Sequence, residues 1–182
     1  MSKEVEKKKM GCLVPFIVVI CFMALVITLA VVFSNQPRNE QSSAESNDVE
    51  MVLDAMSFYD GNKTISESKL IELKGEPDEI EEWNYKSVTK TYPIRTLHYG
   101  NYAYHFNNGI LHRISIDDVE IPYKNKEDIL KMFGLKKYKN SEVTDTNFAY
   151  RVTNCGVYDF WVAIMDEDSL NSIRISYSSL FQ

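Results

Sequence analysis

Cysteine is scarce in this chain. It has three in 182 residues, and Cys12 and Cys21 both fall within one apolar run. A single cysteine elsewhere, Cys155, excludes a disulfide framework. Glycine and proline are few, 7 and 5, which excludes collagen-like and low-complexity chains. Only three histidines occur, His98, His105 and His112, all in one short stretch. There is no phosphate-binding loop, dinucleotide fingerprint or serine elbow. Basic residues are short as well: 20 Lys and Arg stand against 26 Asp and Glu, a formal charge of −6. Binding to nucleic acid needs clustered Lys and Arg, so no nucleic-acid partner is expected.

What is present begins with a run from Met10 to Phe33 that carries no charge. At about 1.5 Å per residue such a helix spans roughly 36 Å, enough for a hydrocarbon core of about 30 Å. Lys7, Lys8 and Lys9 flank its near end, and only Arg38 stands close to its far end. The Lys/Arg bias makes residues 1–9 a cytoplasmic tail and 10–33 a transmembrane helix. The chain is then a single-pass protein of the cell membrane, with its C-terminal part extracytoplasmic. The rival is a signal peptide cleaved after Ser34, against which the run exceeds the usual 7–15 apolar residues. Residues 34–47 hold one alanine and no large apolar group, the composition of a flexible tether. Val49, Val52, Leu53 and Met56 then follow the spacing of a short amphipathic helix.

The folded part reads as a duplication. Ser66 to Gly75 and Asn125 to Gly134 share one plan: a polar opening, an apolar stretch and a closing glycine. Aromatic strands follow each, and the halves end on Arg113-Ile-Ser-Ile116 and Arg174-Ile-Ser-Tyr177. The expected architecture is α+β: two similar units, 48–121 and 122–182, each with helix packed on an antiparallel meander. In the first meander, residues 102–106 alternate and Asn107-Asn108-Gly109 signals a turn. A two-residue loop sets Tyr104 opposite Arg113, with charge on the aromatic face. A three-residue loop pairs Phe106 with Ile110 and Tyr104 with His112. It gathers Tyr102, Tyr104, Phe106, Ile110, Ile114 and Ile116 on one face, so it is the expected register.

On Leu70 to Pro77, Tyr102 to Ile116, Ile129 to Gly134 and Tyr158 to Tyr177, this plan resembles the tandem repeat of β-lactamase inhibitor protein and the single unit of SmpA/OmlA outer-membrane lipoproteins. The resemblance implies noncatalytic protein binding at a cell envelope through the open sheet face and loops. Neither a lipobox nor the inhibitor's disulfides have counterparts here, so inhibition of a β-lactamase is not carried over.

The residues themselves offer little chemistry. His105 and His112 are expected on opposite faces, which precludes a shared metal, and no cofactor is expected. Cys155 lies in a turn between Asn154 and Gly156 with no histidine in that half of the sequence, so it is not expected to be a nucleophile. The acidic runs lack calcium-loop spacing. Trp161 faces away from the main apolar set, where with Arg113 and His105 it is expected to form an aromatic and basic patch, unless a helix or loop covers it. Trp83, at the end of the loop around residues 76–83, is the second candidate. The function so read is a membrane-anchored extracytoplasmic module that binds another envelope protein and is not an enzyme. The alternative is a cell-envelope hydrolase acting on wall or carbohydrate, which requires convergent acid and base groups in a cleft.

Overall fold

Alternation of apolar and polar side chains draws about half of the chain beyond residue 58 into strands. The computed structural model describes residues 49–166 and 168–182. A short ladder of β1 (Tyr59–Asp60) and β2 (Lys63–Thr64) leads into the helix α1 (Glu67–Lys74). Four strands follow, β3 (Glu79–Lys86), β4 (Thr91–Tyr99), β5 (Tyr102–Asn107) and β6 (Ile110–Ile116). After β7 (Ile121–Pro122), a 3-10 turn at Lys126–Asp128 runs into the helix α2 (Ile129–Met132). The chain closes with β8 (Glu142–Asp145), β9 (Ala149–Thr153), β10 (Asp159–Asp166), β11 (Ser169–Ser176) and a 3-10 turn at Ser179–Phe181. One antiparallel sheet contains β3 to β11, in the order β3-β4-β5-β6-β11-β10-β9-β8, with β7 beside β11.

The core lies on one face of this sheet. Leu97, Tyr104, Phe106, Ile114, Ile116, Phe160, Val162, Ile173 and Ile175 point into it from the strands, and Phe58, Leu70, Ile129 and Phe133 join them. Each such side chain contributes about 1.5–3 kcal/mol on burial. The helix α1 is short and polar, and only Leu70 is buried. It is set by its ends: Ser66 Oγ accepts from the Lys69 amide at 3.2 Å, and Gly75 closes it at φ +83°. Arg95 Nε, from β4, donates to Glu67 Oε1 at 2.8 Å and ties the helix to the sheet.

The expected α+β class is overturned: among the described residues the chain is mostly antiparallel sheet, with helices of eight and four residues. The tandem repeat is corrected with it. The two helical elements differ, and the described residues form one compact unit around one core. The two similar phrases ending in Arg-Ile-Ser belong to β6 and β11, adjacent central strands that need isoleucine on the core face and polar side chains on the other. The helix expected from Val49 to Met56 is absent because its donors go elsewhere. The amides of Val52 and Ala55 donate to Met132 and Phe133 carbonyls at 2.8 and 3.0 Å, and only a 3-10 turn forms at Ala55–Phe58. The transmembrane helix expected at 10–33, with the tail 1–9 and tether 34–47, lies outside the described residues. Among the described residues no helix is long and apolar enough to cross a membrane.

The hairpin register also departs from expectation. The loop has two residues, Asn108 and Gly109, both left-handed at φ +50° and +73°, between Asn107 paired with Ile110. Phe106 then pairs with Leu111, and the register shifts so that His105 meets Arg113 and Tyr104 meets Ile114. His112 is thus the extra residue of a β-bulge. The bulge reconciles a tight turn with a clean apolar face: Leu111 stays in the core and Arg113 leaves it.

Two stability predictions come from this packing. A Cβ on Gly134, at φ +67°, would stand 2.6 Å from Asp54 Oδ1, which accepts from the Met56 amide. Gly134→Ala therefore combines left-handed strain with loss of that cap, and should cost about 2 kcal/mol. Gly109→Ala, left-handed in open space, should cost about 1 kcal/mol. Urea midpoints compare the two; equal losses would mean Asp54 is not held as described. Second, the buried Tyr104 hydroxyl has no hydrogen-bond partner among the described residues. Tyr104→Phe should be neutral or stabilise by up to about 1 kcal/mol. A loss larger than that would show a partnered hydroxyl.

Candidate functional site

Residues directly opposite on neighbouring strands share a face. The side away from the core can therefore be followed across the whole sheet as two polar rungs. One runs Glu142, Thr153, Asp159, Ser176, Arg113, His105, Thr96, Glu81. The next runs Thr144, Arg151, Trp161, Arg174, Ser115, Ala103, His98, Glu79. The bulge at His112 is what brings Arg113 and His105 onto this face together.

The half over β3 to β6 is covered by the end of the chain. His112 Nδ1 lies 2.6 Å from Ser178 Oγ, and the turn at Ser179–Phe181 lays Phe181 on the sheet. The Phe181 ring stacks on Trp83 at 6.2 Å and meets Tyr85 and His105 edge-on at 5.1 and 5.8 Å. Arg113 stands over the same ring, its Cζ 4.3 Å from the centroid, and its Nη2 donates to the Phe181 carbonyl at 3.2 Å. Beneath runs a chain of hydrogen bonds. Trp83 Nε1 donates to Thr96 Oγ1 at 2.9 Å, Thr96 Oγ1 lies 2.9 Å from His105 Nδ1, and His105 Nε2 lies 3.0 Å from Ser115 Oγ. Burial, reinforced by the charge of Arg113, pushes the His105 pKa down to about 3. His105 is thus a neutral, sequestered ring rather than part of an exposed basic patch. Burial also lowers the Arg113 pKa.

The half over β8 to β11 is different. Trp161 is partly exposed and paired on either side with Arg151 and Arg174. Arg151 Nε and Nη2 donate to the two oxygens of Asp159 at 2.8 and 3.1 Å, a bidentate pair that raises the Arg151 pKa. Its side chain remains 44% exposed. Arg174 Nη2 reaches Asp117 Oδ1 at 2.8 Å, and Ser172 Oγ donates to the same oxygen at 2.7 Å. Beside them lies a groove of about 350 Å³ lined by Glu142, Thr144, Arg151, Thr153, Tyr158 and Gln182.

The structure therefore brings three of the four anticipated residues, His105, Arg113 and Trp83, into one cluster, and sets Trp161 apart from them with other partners. Arg151, Arg174 and Phe181 were missed. Alternation in Ala149–Thr153, where Tyr150 and Val152 are buried, was the available signal for Arg151. Nothing local marks Phe181. Cys155 is buried, which pushes its thiol up to about 11. Among the described residues no group of three or more His, Cys, Asp or Glu is placed to hold a metal ion. No family model, curated protein or solved structure matches this chain.

The depressed His105 pKa fixes the sign of a pH effect. Below the ordinary value of 6.5 the unfolded chain takes a proton that folded His105 refuses until about 3. Stability from this group is thus complete above about 6.5 and falls by about 1.4 kcal/mol per unit as pH drops through that window. His105→Gln, which keeps hydrogen bonding but cannot titrate, isolates the effect. The stability difference between wild type and variant should shrink by about 2 kcal/mol from pH 7 to pH 5 in urea unfolding. A pH-independent difference would rule out a sequestered neutral ring.

Proposed function

We propose that this chain is a protein-binding module whose open sheet face is the contact surface. It works at a membrane, to which the apolar run at 10–33 holds it, with the folded part extracytoplasmic. The observation that carries the reading is the partly exposed rung Arg151–Trp161–Arg174 on a face that has no role in the core. Trp and Arg are the side chains that dominate interface energetics, and strands hold them in fixed positions, so little side-chain ordering remains to be opposed on binding.

A hydrolase finds less support. Both ring nitrogens of His105 are engaged with hydroxyls, and the ring lies against Phe181. Asp159 and Asp117 are each tied to an arginine. Cys155 is inside the core.

Site-specific photocrosslinking in the source cells tests the reading. A crosslinking residue at Thr144, Thr153 or Ala163, on the open face, should trap one discrete protein, whereas at Lys63 or Leu73, remote from that face, it should not. Trp161→Ala should reduce the yield strongly, since loss of a central interface aromatic costs about 2 kcal/mol or more, some thirtyfold in affinity. Far-ultraviolet circular dichroism should stay unchanged. No adduct from the open face, or equal adducts from all positions, would sink the proposal.

A further inference from the structure

Phe181 shows what the open face accepts. An aromatic ring from a 3-10 turn lies on Trp83 and under the Arg113 guanidinium, and the carbonyl of that same residue accepts from Arg113 Nη2. The uncovered half repeats these ingredients, a tryptophan with arginines on both sides, and among the described residues no aromatic ring lies against Trp161. It also adds a second arginine. Arg151 is paired with Asp159 and Arg174 with Asp117, so what the two arginines offer an occupant is directional donors rather than an excess of charge. A guanidinium has five N–H donors. Arg151 directs two to Asp159, and Arg174 directs one to Asp117 and one to the Ile173 carbonyl. Each retains donors for a carboxylate, the acceptor whose planar geometry matches the guanidinium fork. At the rim over β8, Glu142 repels acidic groups, so the carboxylates of an occupant belong towards Arg174 and the centre of the sheet.

We propose that the occupant of Arg151–Trp161–Arg174 is a segment of a partner protein carrying an aromatic side chain flanked by carboxylates, its ring seated as that of Phe181 is seated on the other half. This inference rests on the open face being the binding surface, and names the chemistry of what binds there.

The test uses the full ¹⁵N-labelled chain in a mild non-ionic detergent. Its two tryptophans give two indole N–H resonances, assigned with Trp161→Phe. The probes are blocked pentapeptides of sequence Gly-Asp-Phe-Asp-Gly, Gly-Asp-Ala-Asp-Gly and Gly-Lys-Phe-Lys-Gly. The first should shift the Trp161 indole saturably and leave that of Trp83 in place. The alanine and lysine peptides should bind at least tenfold more weakly. Arg151→Gln and Arg174→Gln should each weaken the first peptide about tenfold, with thermal midpoints near that of wild type as the control for folding. Equal binding of the lysine peptide, a shift of Trp83 in place of Trp161, or no shift at all would overturn the proposal. If open-face crosslinks form in cells while the acidic peptide fails, the surface is right and the partner chemistry wrong. If no crosslinks form, the binding surface itself is misplaced.

Discussion

The pairing of β6 with β11 is the constraint on which the rest depends. Only four residue pairs make it: Arg113 with Ser176, Ile114 with Ile175, Ser115 with Arg174, and Ile116 with Ile173. Without them the sheet would fall into two meanders, each with a bare edge of unpaired backbone groups at its centre. Both sides of the protein pass through these pairs. The isoleucines are fully buried and join the two ends of the core. The intervening polar residues carry the rungs of the open face from one half of the sheet to the other. The bulge at His112 serves the same constraint. It restores the alternation of β6 just before the pairing begins, so that isoleucine faces isoleucine and arginine faces serine.

Strand positions were legible in the sequence because period-two alternation is written locally, in Tyr102 to Phe106 and again in Phe160 to Ile164. Helix ends were legible at Ser66 and Gly75 for a similar reason, since a cap needs only its own few residues. Class and register were not. The expected helix near residues 49–56 follows a valid apolar spacing, but those amides find partners eighty residues away, in Met132 and Phe133, and spacing cannot see them. The register failed for a related reason. Treating the turn as two or three residues without a bulge forced a choice between a tight loop and an apolar face, and His112 removes the conflict by dropping out of the ladder. As to the candidate site, residue types were legible and grouping was not. Which residues stand beside Trp161 depends on the β9–β10–β11 ladder, and what covers His105 depends on a segment remote in sequence.

The division of the open face has a physical origin. Its β3–β4 end is the more apolar, with Trp83, Tyr85, Tyr92 and Ile94 presented together. Left bare, such a patch invites association with other chains. Phe181 is placed on it and Ile94 is buried. Tyr85 and Tyr158 hydroxyls hold the following residue by its main-chain and side-chain oxygens. Covering that end lowers the surrounding dielectric, which is why His105 stays neutral and why its two nitrogens need Thr96 and Ser115. The β8–β10 end requires no such cover, because Arg151 and Asp159 satisfy one another while Arg151 stays in water. A partly exposed tryptophan between two arginines is tolerable to a chain by itself, since each guanidinium is partnered and solvated. It still offers a partner one apolar surface and several directional donors at fixed spacing. The same sheet thus closes its greasier end with its own chain and leaves open the end where recognition can be selective, because charge and hydrogen-bond geometry discriminate between partners in a way that apolar area does not.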